Sequence, residues 1–211
     1  MADVDAPIRL YHHPFTRAAN VVWMLEEIGR PYALEYVDLQ AGAQRTPDFL
    51  AKNPMGKLPT LVDGDVVLSE SAAIGMYLAD RYALGELAPA PDDPARAPYL
   101  RWCLYAPSVI EPGCYAKGAG WEFRPAQAGW GRYDDMLETI DRAIGDGPWL
   151  LGEQFTMADV IFGGTVRFML QFNMIEPRDR FVAYRDRLNA RPQSQRAQAK
   201  NAAVIEEKGL V

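Results

Sequence analysis

The sequence predicts a small α/β layer followed by an all-helical half, and three observations carry that prediction. Strand-like and helix-like periodicities alternate through the first eighty residues, a proline-rich polar stretch interrupts the chain at 84 to 94, and only helical periodicity follows. With 49% hydrophobic residues in a chain of 211, there is enough apolar material for a real core. The expected organisation is an N-terminal domain over residues 1–83, a linker over 84–94 and a helical domain over 95–211.

Ile8-Arg-Leu-Tyr11 is a short apolar run suited to a buried strand, which Pro14 ends. Ala18, Val21, Val22, Leu25 and Ile28 then recur at helical spacing, and Gly29 stops the helix. Tyr32 to Val37 alternates as a second strand, so strand, helix and strand make a right-handed parallel unit. A short helix around Pro47 to Ala51 leads into Asn53-Pro-Met-Gly-Lys-Leu-Pro-Thr60. Thr60 to Val62 and Val66 to Leu68 flank Asp63-Gly64-Asp65, a hairpin signal, and Glu70 to Tyr82 reads as a helix covering the sheet.

In the second half, helices are expected over 95–117, 130–144, 156–171 and 178–190, with a weaker one after Pro192. Pro107 and Pro112 bend or break the first of these. Met136, Leu137, Ile140 and Ile144 form one packed stripe. Thr156 followed three residues on by Asp159 is a variant of the capping box, and Phe155 is placed to staple against Val160. Gly163 and Gly164 lie in the middle of the apolar helix that follows, where each costs about 1 kcal/mol, so close approach of another helix is expected there.

A net charge of -6 and a pI near 5.0, with no basic stripe, argue against nucleic acid or an anionic membrane as partner. Met1 to Pro7 carries acids and lacks the pattern of a signal peptide, and no apolar run approaches the roughly 20 residues that span a bilayer. A soluble, cytoplasmic protein is expected. Cys103 and Cys114 form no C-x-x-C and have no histidine nearby, so they read as buried, reduced thiols. His12 and His13 are adjacent and cannot by themselves build a metal site, so no metal is expected.

The sharpest local feature is the segment ending in Lys57-Leu58-Pro59. Pro59 removes a ladder donor just before the β-prone run Thr60-Leu61-Val62, which leaves the amide and carbonyl of Leu58 free to pair with something extended, such as a small peptide. Glu70 and Ser71 precede the apolar run Ala72, Ile74, Met76, Tyr77, Leu78. That order places a hydroxyl, backbone amides and a helix dipole where a ligand carboxylate would sit.

The Asn-Pro-x-Gly-Lys-Leu-Pro loop, Glu70-Ser71, the Phe-Thr-x-Ala-Asp box and an all-helical second half, in this order, resemble the cytosolic glutathione S-transferase superfamily over nearly the whole chain. Leu10-Tyr-His-His-Pro-Phe-Thr-Arg-Ala-Ala-Asn20 and Trp23-Met-Leu-Glu-Glu-Ile-Gly29 look most like its bacterial branches with short first loops. The resemblance implies a thioredoxin-like α/β N-terminal domain that binds glutathione and an all-α C-terminal domain that binds the second substrate. It implies a cis Pro59, Leu58 pairing antiparallel with the cysteinyl backbone of glutathione, Glu70 and Ser71 holding the γ-glutamyl end, and Lys57 near the glycyl carboxylate or the cleft rim. It also implies a detoxifying transferase that takes glutathione as co-substrate with a small hydrophobic electrophile, and a homodimer, whose interface an apolar residue such as Met55 or Met76 near the domain edge could serve.

Transfer requires the glutathione thiol, with a free pKa near 8.5, to ionise at neutral pH. Family members achieve this with a tyrosine, serine, cysteine or asparagine after the first strand. Here the loop is His12-His13-Pro14-Phe15-Thr16-Arg17-Ala18, with no cysteine and with Ala18 at the serine position. Thr16 offers a hydroxyl and Arg17 a positive charge, and these two are the expected catalytic residues. Tyr11 and His13 are the alternatives. Trp102, Tyr105, Ser108, Tyr115 and Trp121 fall within twenty residues, and the first four are expected to line an aromatic electrophile pocket. Ala18 in place of serine also leaves open a non-catalytic module that binds glutathione or a protein partner.

Overall fold

A computed structural model of the chain describes residues 8–210. Four strands form one sheet in the order β2-β1-β3-β4: β1 (Ile8–His12), β2 (Tyr32–Tyr36), β3 (Thr60–Asp63) and β4 (Val66–Ser69). β1 runs parallel to β2, and the connection between them is helix α1 (Ala18–Ile28). β3 is antiparallel to both β1 and β4, and the β3–β4 hairpin closes on Gly64-Asp65 with Asp63 opposite Val66. Central β3 is buried along its whole length, as its apolar run requires, whereas edge strand β4 leaves Val66 and Val67 exposed.

α1 stops where expected: Gly29 is left-handed at φ +70, and its N–H returns to the Leu25 carbonyl at 3.0 Å. Its burial is wider than the stripe expected from periodicity, because Trp23, Met24 and Glu26 are covered too. Two helices account for this. α3 (Ser71–Tyr82) packs on one side, after the one-turn α2 (Pro47–Leu50), and the last helix, α9 (Pro192–Lys208), packs on another.

α9 corrects the expected domain boundaries. The chain divides into two compact units, one running from β1 through Tyr82 and taking in α9, the other spanning Ala83–Arg191. The residues after Pro192 thus leave the helical domain expected over 95–211. α9 is long but mostly polar, so its apolar periodicity is weak; it docks through small buried residues, Ser194 and Ala197, and through polar side chains reaching α1 and β2. Residues 84–94 are likewise folded onto the second unit and do not form a free linker. Leu87 and Ala88 are buried, and the Leu87 carbonyl accepts the Met157 amide at 2.8 Å.

The second unit holds α4 (Arg96–Tyr105), α5 (Glu111–Gly118), α6 (Tyr133–Ile144), α7 (Met157–Gln171) and α8 (Asp179–Ala190). Pro107 and Pro112 act as expected: a π-helical turn over Ala106–Ile110 separates α4 from α5. The capping box forms, with the Thr156 amide donating to the Asp159 carboxylate at 2.9 Å. Asp159 is buried and also accepts the Leu150 amide and the Tyr184 hydroxyl, so one carboxylate ties the start of α7 to α8. Burial pushes its pKa up, and these hydrogen bonds oppose that. Gly163 marks the expected close approach: a Cβ there would run into Leu188 Cδ1 and lie 3.1 Å from the Tyr184 ring.

Candidate functional site

Sheet register gathers three turns of the first unit at one end of the sheet. Tyr11 on β1 lies opposite Thr60 on β3, and Thr60 lies opposite Ser69 on β4. Just beyond that row come the loop after His12, the Leu58-Pro59 peptide before Thr60, and Glu70 after Ser69. Neighbouring strands lie about 5 Å apart, so the three turns fall within roughly 10 Å of one another.

The middle turn is braced from inside. Asn53 is buried and donates through Nδ2 to the Lys57 carbonyl at 2.9 Å and to Thr60 Oγ1 at 3.2 Å, while its Oδ1 accepts the Met55 amide at 3.1 Å. Gly56 is left-handed at φ +60, and a side chain there would meet the Gln44 carbonyl and the Arg45 guanidinium at 2.9 Å. The Leu58-Pro59 peptide is cis, as the resemblance implied. The Leu58 side chain is buried with Ala18, Val37 and Phe49. Among the described residues its backbone amide and carbonyl have no protein partner. Lys57 is exposed at the rim. The role of Asn53 was missed in the sequence, although the Asn-Pro pair that opens the motif was its signal.

At the third turn Glu70 is exposed and has a left-handed backbone at φ +69, a costly conformation for a residue with a Cβ. Its carbonyl accepts the Ile74 amide at 2.9 Å, so Glu70 caps the start of α3. The amides of the first turn, beginning with Ser71, have no intrahelical acceptor and face outward with the positive end of the dipole. Ser71 is half-buried beside them.

The first turn is shaped by its two histidines. His12 is fully buried, and its Nε2 lies 2.7 Å from Asn201 Oδ1. Burial is the main cause that lowers its pKa; the Asn201 bond opposes this and His13 adds to it. His13 accepts the Phe15 amide through Nδ1 at 3.2 Å and stacks near Tyr36. Burial lowers the His13 pKa too, against the pull of Asp38.

Thr16 Oγ1 donates to the His13 carbonyl at 2.8 Å and accepts the Ala18 amide at 3.2 Å. Its single proton is thus engaged. The same carbonyl also receives the Thr16 amide at 3.1 Å, so it keeps one donor if the hydroxyl turns away. Arg17 is half-buried and already helical, at φ -61 and ψ -14, where α1 begins. Tyr11 packs edge-on against Phe49 at 5.6 Å, a core contact.

The residues expected to line the electrophile pocket all lie in the second unit, spread from α4 to α5. Trp102 and Tyr105 meet edge to face at 5.5 Å, and both contact Phe162 of α7. Ser108 is exposed and donates to the Leu104 carbonyl at 2.6 Å, a back-bond on its own helix. Tyr115 is 49% exposed. The aromatic pair is thus brought together, whereas Ser108 and Tyr115 are exposed. Among the described residues, no cluster of three or more His, Cys, Asp or Glu forms a metal site, and no helix is long and apolar enough to cross a membrane.

Residues 6–80 match the family model for the glutathione S-transferase N-terminal domain, and residues 124–188 match that for the C-terminal domain. Glutathione S-transferase theta-2 of Homo sapiens is 34% identical over 175 residues, covering 77% of this chain and 72% of that protein. Glutathione S-transferase 3 of Zea mays is 48% identical over 79 residues, 37% of this chain and only 36% of the maize protein. A solved glutathione transferase family member from Pseudomonas fluorescens, with two glutathione bound, superposes with a TM-score of 0.75 at 28% identity, covering 93% of this chain and 94% of that one.

Proposed function

This chain belongs to the glutathione S-transferase superfamily, and we propose that it joins the thiol of glutathione to small hydrophobic electrophiles. The observation that carries the proposal is the convergence of three turns: an unpaired Leu58 backbone, a strained Glu70 with Ser71 at a helix start, and the Thr16-Arg17 loop, all at one end of the sheet. Glutathione is extended and anionic, with its thiol midway along. The open Leu58 edge suits its cysteinyl backbone. The Glu70 carboxylate suits the ammonium of the γ-glutamyl end, and Ser71 with the α3 amides suits the carboxylate there. Lys57 at the rim suits the glycyl carboxylate.

With the cysteinyl residue on Leu58, the sulfur faces the turn after His12. The Thr16 hydroxyl rotates off the His13 carbonyl, which retains the Thr16 amide, and donates to the sulfur. Arg17 and the start of α1 add positive potential. The thiol proton leaves to solvent, the thiolate attacks the electrophilic carbon, a C–S bond forms and the leaving group departs with its electron pair. The electrophile belongs to the helical unit, where Trp102, Tyr105 and half-exposed Tyr115 offer aromatic surface. A detoxifying role, a cytoplasmic location and a homodimer accompany this proposal. Met55, 65% exposed beside the Leu58 turn, is the better interface candidate, because Met76 is half-buried.

The test is conjugation of glutathione to an aryl halide by the wild type and by Thr16→Ala and Arg17→Ala. Each variant loses turnover if the sulfur is held as proposed, and unchanged turnover in both overturns that assignment. The engaged proton of Thr16 favours one other reading, a protein that binds glutathione without activating it. Calorimetric binding with no turnover across a panel of electrophiles would establish it.

A further inference from the structure

We infer that Asn201, on α9, is a positioning residue for the thiol-activating turn, an inference that rests on the glutathione reading of that turn. The segment between His12 and Ala19 carries Thr16 and Arg17, and Asn201 touches both ends of it. Its Nδ2 donates to the Ala19 carbonyl at 3.2 Å and to the Ala197 carbonyl at 3.0 Å, while its Oδ1 lies 2.7 Å from His12 Nε2. Carbonyls only accept, so the two backbone bonds fix which way the amide faces. Its oxygen must then meet the ring, which makes His12 Nε2 the donor and sets the tautomer of a fully buried imidazole.

One side chain thus fixes the end of β1 and the first turn of α1 relative to each other. Between these anchors the His13 carbonyl holds both the amide and the hydroxyl of Thr16, so any shift of His13 moves that hydroxyl directly. α9 supports His13 as well: Lys208 lies over the Tyr36 ring at 5.4 Å, and Tyr36 packs against the His13 ring at 5.6 Å. Arg196 and Lys200 on α9 reach Glu26 further along α1, and Lys200 also donates to the Tyr32 hydroxyl on β2, so these ties lie away from the turn. Asn201 reaches no substrate, so its effect passes through the position of the thiol-facing donors.

The experiment uses the full chain with Asn201→Ala and Asn201→Asp, and Lys200→Ala as the control for general loosening of α9. The aspartate keeps an acceptor toward His12 but turns an oxygen against the Ala19 and Ala197 carbonyls. Three readouts are taken: amide hydrogen exchange over residues 13–19, kcat and KM for glutathione, and the pH titration of the thiolate absorbance of bound glutathione. Both Asn201 variants should exchange about tenfold faster over 13–19 and lose about tenfold in kcat, with KM within roughly twofold, as expected when the hydrogen bonds that tie the turn to α9 are lost. The thiolate titration should move up toward that of the free thiol, and Lys200→Ala should leave all three readouts unchanged. Wild-type exchange and titration in both Asn201 variants overturn the inference, as do equal changes in Lys200→Ala. Absence of a thiolate band in the wild type overturns the thiol-activating reading of the turn instead, and exchange over 13–19 still decides whether Asn201 holds the turn.

Discussion

Replacing Glu70 separates backbone strain from ligand contact. At φ +69 a side chain with a Cβ costs about 1–2 kcal/mol, which glycine escapes. Glycine also gains freedom in the unfolded chain, which offsets about 0.5–1 kcal/mol of that relief. Glu70→Ala keeps the strain and Glu70→Gly removes it, while both lose the same carboxylate at the helix start. Glu70→Gly should therefore be the more stable of the two by about 0.5–1 kcal/mol in urea denaturation. Both should bind glutathione roughly tenfold to a hundredfold more weakly by calorimetry, since one charge-assisted hydrogen bond is worth about 1.5–3 kcal/mol. A Glu70→Gly protein less stable than Glu70→Ala would refute the strain argument, and wild-type affinity in either would refute the contact.

Glu26 is raised by burial but lowered further by hydrogen bonds from Lys200, Tyr32 and Arg196, which bring its pKa to about 2 from 4.5. That shift corresponds to about 3 kcal/mol, and half-exposed Arg196 and Lys200 leave about 1–2 kcal/mol after screening by solvent. The folded pKa is depressed, so the stability gap between wild type and Glu26→Gln should be full above pH 4.5 and close as pH falls toward 2; a gap independent of pH contradicts this. Asn53→Ala leaves three hydrogen bonds unmade and should cost about 2–3 kcal/mol of stability while weakening glutathione binding, which denaturation and calorimetry together check. Gly163→Ala gains about 1 kcal/mol of helix propensity but collides with Leu188, so its melting temperature should fall, and a rise would show that α7 and α8 can part.

The sheet and its turns were legible because their signals are local: Gly29 ends α1, Asp63-Gly64-Asp65 closes the hairpin, and Pro59 precedes β3. Register then does what sequence order alone does not, placing Tyr11, Thr60 and Ser69 in one row so that the expected glutathione residues fall together. α9 was not legible. Its surface is polar, and its ties run from Arg196 to Glu26 and from Asn201 to His12, pairs that no local pattern links. The state of Thr16 was hidden for a similar reason: a hydroxyl at a helix start can be free or engaged, and only the position of the His13 carbonyl decides. Glu70 was legible as an acid before a helix, yet its left-handed backbone was not, because nothing about a glutamate announces it.

A crystal structure of the protein with glutathione tests the central claim most directly. The cysteinyl backbone should pair with the amide and carbonyl of Leu58, the γ-glutamyl end should lie against Glu70 and Ser71, and the sulfur should sit within hydrogen-bonding distance of the Thr16 hydroxyl, turned off the His13 carbonyl. Glutathione bound away from Leu58, or a sulfur facing away from the turn after His12, would contradict it.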